Sequence, residues 1–94
     1  MNEKQFSYFL ENYWEVQGNE KQASKIFKFK NFKRAFSWMI SLAFEAEKQD
    51  HHPEWKNVYN KVEVTLTTHD MKMLSQKDVR LATVMDTEFE KHNN

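Results

Sequence analysis

Three of the four histidines in this chain are expected at the ends of elements. His51 and His52 follow a long segment of helical apolar periodicity, and His69 follows an alternating one. Asp78 comes three residues after Ser75, at the start of a further periodic segment. Imidazole is the side chain best suited to give and take protons near neutral pH. Element ends are where side chains converge on a cleft. Three imidazoles and a carboxylate are enough to run an acid–base elimination without any cofactor. Each residue also has a plain structural alternative. His51 suits a surface position, and His52, beside Pro53 and Trp55, suits packing in a turn. His69 suits capping the loop after its strand, and Asp78 suits a helix N-terminus, where the dipole favours a carboxylate. His92 lies in a polar tail and is expected in solvent. Metal binding competes for the same groups, with His52, His69 and Asp78 as a conceivable three-ligand zinc set. Adjacent His51 and His52 cannot both point at one ion from a regular element, and no His-x-x-x-His pair exists. The expectation is therefore no metal.

The elements that must position these groups follow from periodicity. Asn31 is a good N-cap. After it, Phe32, Ala35, Phe36, Met39, Ala43 and Ala46 recur at steps of three and four, one apolar face of a helix of about five turns. Trp38, Leu42 and Phe44 widen that face, as in a helix that packs against both a sheet and a second subunit. The helix is predicted to stop before Pro53, which pushes its predecessor out of the α region. Val58–Leu66 reads as one long strand, with Val58, Val62, Val64 and Leu66 on one side and Tyr59, Lys61, Glu63 and Thr65 on the other. A loop over 68–74 leads to Ser75 and Asp78, a capping-box pair. Val79, Ala82, Met85 and Phe89 then form the inner face of a last helix. Upstream, residues 3–12 are ambiguous, with Phe6, Phe9, Leu10 and Tyr13 at helical spacing in a short segment. Trp14–Asn19 reads as a strand running into a turn at Gly18, where φ > 0 is available. Residues 23–30 read as a second strand, with Phe27 and Phe29 opposite Lys28 and Lys30. The fold class is α+β: an antiparallel β-sheet with helices packed on one face.

Composition sets the outer bounds. The 94 residues form one expected domain, 1–94. A chain of this size buries only roughly two-thirds of its unfolded surface, so its eight Phe, three Trp and three Tyr matter to the core. Fourteen basic and fourteen acidic residues cancel, which argues against a globally basic nucleic-acid binder. Six basic residues (Lys21, Lys25, Lys28, Lys30, Lys33, Arg34) precede Glu45 without an acid among them. They read either as a patch for an anionic partner or as a solvated face balanced in space. With no Cys there is no disulfide, thiolate site or Cys nucleophile, and with one Gly there is no glycine-rich phosphate loop. The start, Met-Asn-Glu-Lys-Gln, is not that of a signal peptide. No apolar run approaches the roughly 20 residues of a membrane span. A soluble, cytoplasmic protein with no membrane partner and no direct nucleic-acid contact is expected.

The order of these residues carries a resemblance. Glu47-Lys48-Gln49-Asp50-His51-His52-Pro53-Glu54-Trp55, then Asn57-Val58-Tyr59-Asn60-Lys61-Val62, then Leu66-Thr67-Thr68-His69-Asp70 closely resembles the pterin-4a-carbinolamine dehydratase family. The family pattern falls on Glu47, His51, His52, Pro53, Tyr59, His69 and Asp78, and Phe27–Phe36 also looks like the family's aromatic stretch. The likeness covers about residues 14–90. It implies dehydration of a 4a-hydroxytetrahydropterin to quinonoid dihydropterin and water, in recycling of the pterin, with no redox cofactor and no metal. It implies His51, His52 and His69 as the acid–base set, and Glu47, Pro53, Trp55 and Asp78 as substrate-binding residues. A homodimer or homotetramer is implied as well. The alternative role is that of a protein-binding module, the dimerisation cofactor of a homeodomain transcription factor. Two positions depart from the family. Only 13 residues precede Trp14, so the usual N-terminal helix is expected to be short, missing or replaced. Met73 stands where the family commonly has Gly, so a left-handed backbone there would be strained.

Overall fold

A computed structural model describes residues 3–93. The elements run α1 (Glu3–Glu11), β1 (Glu15–Gln17), β2 (Gln22–Lys28), α2 (Phe32–Gln49), β3 (Glu54–Val58), β4 (Lys61–Leu66) and α3 (Gln76–His92). The four strands form one antiparallel sheet in the order β1-β2-β4-β3. Strand alternation sorts its two faces. Ala23 and Phe27 of β2 pair with Leu66 and Val62 of β4, and these residues are buried against Trp38 and Leu42 of α2 and Leu81, Ala82 and Met85 of α3. Ile26 and Val58 are exposed. The α+β architecture is the one expected from the pattern of elements.

Several details differ from the expectation. The single strand over 58–66 is a hairpin, in which β3 ends at Val58, Tyr59 and Asn60 turn, and β4 begins at Lys61. Val58 therefore pairs with Lys61 on the exposed face rather than sharing the buried face of Val62 and Val64. No Gly marks this turn. Tyr59 is left-handed (φ 51), and side-chain amides support it. Asn57 Nδ2 donates to Tyr59 O and Lys61 O, and Asn60 Nδ2 donates to Phe29 O. At the other hairpin Gly18 does take φ 61, with Asn19 and Glu20 left-handed beside it.

Helix α2 is capped by Asn31, whose side chain accepts from Arg34 N–H. Its buried stripe is Ala35, Trp38, Leu42 and Ala46. Phe32, Phe36, Ala43 and Phe44 instead form an outward stripe with Ile40, so the helix is apolar on two sides and the sheet covers one. The expected inner face thus mixed two stripes, because steps of three and four can be drawn through either set. The helix ends three residues before Pro53, at a left-handed Asp50 (φ 51), whose N–H closes on the last carbonyls.

The ambiguous N-terminal segment is a short helix, held by tertiary contacts rather than length. Phe9 is fully buried and packs edge-on against Trp14, which does the same against Phe27. Three donors, from α1, the α1–β1 connection and β2, converge on Asp86 of α3. Tyr8 Oη (2.7 Å) and Trp14 Nε1 (3.0 Å) donate to Oδ2, and Lys25 Nζ (2.7 Å) donates to Oδ1. Burial and the Asp86 carboxylate push the Tyr8 phenol well above its usual value. His92, expected in solvent, is half-buried in the last turn of α3. Its Nδ1 donates to Glu88 O, and its Nε2 lies 3.5 Å from Ser41 Oγ on α2. The last turn of α3 continues to this residue, so it packs between helices instead of trailing away.

Candidate active site

The left-handed exit from α2 sets the direction of both adjacent histidines. His51 N–H bonds back to Ala46 O at 3.0 Å, and the extended chain beyond it sends successive side chains to opposite sides. His51 turns inward, at 9% exposure. His52 turns outward, with its side chain 57% exposed.

His51 ends on Asp78, whose side chain is completely buried. The Nε2 to Oδ1 distance is 2.6 Å. The other oxygen, Oδ2, accepts from Thr68 Oγ1 at 2.7 Å and from Ser75 N–H at 3.0 Å. Thr68 spends its one hydroxyl proton on Asp78, so the Ser75 hydroxyl, 2.6 Å away, donates to Thr68. Ser75 Oγ in turn accepts from Lys77 N–H. The capping box that starts α3 is thus also the floor under His51. With Asp78 acting only as an acceptor, His51 donates to it from Nε2, which leaves Nδ1 as the nitrogen not engaged by Asp78.

The other two imidazoles stand at the rim, each beside its own carboxylate. His52 Nε2 is 2.6 Å from Glu47 Oε2, one turn back on α2. His69 Nε2 is 3.4 Å from Glu54 Oε1 at the start of β3. His69 is held by its backbone. Met71 N–H bonds to Thr68 O and Lys72 N–H to His69 O, and Thr68 bridges to Met73. The left-handed residue in this loop is Lys72 (φ 55), not Met73, so the absence of Gly at Met73 carries no left-handed strain.

A cavity of about 320 Å³ lies between these groups, lined by the three histidines (His51, His52, His69), Pro53, Asp50, Glu54, Thr68, Asp70 and Lys77. The histidines that sequence spacing singled out therefore share one space. Asp78 does not line it and stands behind His51. Glu47 is reached through His52. Trp55 packs toward the core, 6.2 Å from Trp38 between ring centroids, and also lies outside the cavity lining. Sequence reasoning missed Thr68, Glu54 and Lys77. The only signal for Thr68 was its place before His69, and the other two had none beyond proximity to Pro53 and Ser75. Among the described residues, no group of three His, Asp or Glu side chains is placed to hold a metal ion. The conceivable set is split, since Asp78 faces His51 rather than His52 and His69. The geometry offers proton transfer from several imidazoles to one bound molecule. No described helix is long and apolar enough to cross a membrane.

Residues 1–88 match the family described as pterin 4 alpha carbinolamine dehydratase. A protein of Jannaschia sp. (strain CCS1), named for pterin-4-alpha-carbinolamine dehydratase, is 61% identical over 74 residues, which cover 78% of this chain and 74% of that one. The crystal structure of a transcriptional coactivator/pterin dehydratase from Brucella melitensis is similar over 100% of this chain and 98% of that one, with a TM-score of 0.80 and 33% identity. A pterin dehydratase-like protein, identified as a RuBisCO assembly factor in the alpha-carboxysome, shares the fold at a TM-score of 0.68 and 21% identity, over 79% of this chain and 86% of its own.

Proposed function

The chain belongs to the pterin-4a-carbinolamine dehydratase family, and from that premise we propose that it converts a 4a-hydroxytetrahydropterin to quinonoid dihydropterin and water by histidine acid–base catalysis, within tetrahydropterin recycling. The observation that carries this reading is the meeting of His51, His52 and His69 on one cavity of about 320 Å³, a volume at the small-ligand end of the usual range. The reaction needs two proton movements. An acid protonates the 4a-hydroxyl as the C4a–O bond breaks and water leaves. A base takes the proton from N5 as the C4a–N5 double bond forms. His51 and His69 move these protons, and His52 lies against the pterin ring. Asp78 acts through His51 by fixing its tautomer, while Pro53 and Glu47 hold His52 and Trp55 supports the wall from the core side.

The test is the rate of carbinolamine dehydration. One positioned acid–base group is worth about 10²–10⁴ in rate, so His69→Ala should lose on that order and His52→Ala should lose activity with its contact to the pterin ring, with His92→Ala unchanged and chelator without effect. Dehydration by the wild type no faster than in buffer, or full activity in both single variants, sinks the reading.

The outward stripe of α2 supports a homodimer or homotetramer. Phe32, Phe36, Ile40 and Phe44 are all exposed, Phe44 by 75%, and an apolar surface of this kind marks an interaction site. Light scattering should give a dimer or tetramer at micromolar concentration, and a stable monomer refutes this. The same stripe supports a second reading, a protein-binding module that dimerises a transcription factor. The Brucella relative's description as a transcriptional coactivator favours it. Occupation of the stripe by the chain's own copies without exchange for a partner speaks against it.

A further inference from the structure

We propose that Glu54 is a positioning residue for His69, the acceptor that holds this imidazole toward a bound pterin; the proposal rests on the dehydratase reading above. Each of the three imidazoles has one carboxylate beside it, but the three carboxylates differ in place. Asp78 is buried behind His51 and Glu47 stands outside His52, and neither lines the cavity. Glu54 does line it, together with His69.

His69 needs such a partner more than the others do. The His51 ring is enclosed and bonded to Asp78, and the His52 ring is bonded to Glu47. The turns over 68–73 fix the His69 backbone but leave its side chain 70% exposed. An exposed imidazole turns freely about its side-chain bonds, and a proton-transfer group is effective only within a narrow range of positions. Glu54 is well placed to restrict it. Pro53 precedes it, and its backbone pairs with Thr65 of β4, so the carboxylate projects from a rigid strand start. The separation of 3.4 Å is ion-pair range rather than a full hydrogen bond. Contacts of catalytic groups are commonly long in free enzymes and tighten when substrate fills the site. Accepting from Nε2–H would leave Nδ1 of His69 as the nitrogen not engaged by the carboxylate, the same arrangement that Asp78 imposes on His51. The other charged or titratable groups around the cavity are Asp50, His51 and His52 from the end of α2, Asp70 from the loop of His69 itself, and Lys77 from α3. None of them is within ion-pair distance of His69 among the described residues.

The experiment uses Glu54→Ala and Glu54→Gln in the full chain. Glu54→Ala should lower kcat about tenfold with KM within about twofold, the pattern of a contact that matters only during reaction. Glu54→Gln keeps a carbonyl acceptor and should recover most of the loss. Carbon-13 relaxation of the His69 imidazole should show a more mobile ring in Glu54→Ala and a wild-type ring in Glu54→Gln. An unchanged kcat in Glu54→Ala, a raised KM at intact kcat, or Glu54→Gln as slow as Glu54→Ala overturns the proposal. If the wild type itself fails to dehydrate the carbinolamine, the dehydratase reading falls and ring mobility alone decides. An equally mobile His69 in wild type and Glu54→Ala then refutes the positioning role.

Discussion

Helix α3 carries two carboxylates that each accept three hydrogen bonds, eight residues apart, and they hold very different things. Asp78, in the first turn, takes an imidazole, a hydroxyl and a backbone N–H. Asp86, two turns on, takes a phenol, an indole and an ammonium. The partners of Asp86 come from far apart in the chain and none of them lines the cavity, so that cluster is a clamp. It ties α1 and β2 to α3 and completes the core around Trp14. One partner of Asp78 is an imidazole that lines the cavity, so an equally satisfied cluster borders the candidate site. Burial sharpens the contrast. Asp78 is sealed from solvent, while Asp86 and Lys25 keep some exposure. The same hydrogen-bonding capacity therefore clamps elements together at one end of the helix and, in the proposed function, supports chemistry at the other, and the identity of the donors makes the difference.

The largest separation between the two clusters should come from Asp78→Ala. It strands His51 Nε2, the Thr68 hydroxyl and Ser75 N–H in a dry corner, at a cost of about 2–4 kcal/mol for unpaired buried groups. It should also slow dehydration, because His51 loses its tautomer lock. Chemical denaturation beside the rate assay checks this, and a stability loss at full activity reduces Asp78 to a helix cap. Asp86→Ala is the counterpart. It should cost about 1–3 kcal/mol through its three lost partners and leave kcat of the folded fraction unchanged. A matching fall in kcat would show that clamp and site are coupled along α3. The smallest effect is alkaline. The Tyr8 phenol is raised in the folded protein by burial and by Asp86. The unfolded chain therefore releases this proton first, and the contribution to stability is whole below about pH 10 and declines as pH climbs from there toward the folded-state value. Tyr8→Phe should flatten that alkaline decline in denaturation midpoints measured between neutral and strongly alkaline pH. An equally steep decline in the variant would assign it to other groups.

Much of the scaffold was legible because it depends on neighbours in sequence. Asn31 caps α2, Ser75 and Asp78 form the capping box of α3, and Phe27 and Phe29 alternate with Lys28 and Lys30, all as local rules require. The turn at Tyr59 and Asn60 was not legible. Its left-handed residue is a tyrosine, and part of its support comes from Phe29, some thirty positions away in the chain. The helical face of α2 was legible as apolar but not as inner or outer, since Trp38 and Phe36 look alike until a sheet covers one of them.

For the site, residue types and spacing were enough to name His51, His52, His69 and Asp78, because proton chemistry demands those side chains and the family pattern preserves their order. Tertiary structure alone decided where each one stands and what it touches. The left-handed Asp50 turns His51 inward and His52 outward, a choice that two adjacent identical letters cannot express. The chain beyond β4 brings Thr68 to Asp78 at the start of α3, and the register of β3 on β4 sets Glu54 beside His69. Local rules act over three or four residues and can be read from the string. Hydrogen bonds between residues far apart in the chain exist only once the sheet has closed against its helices.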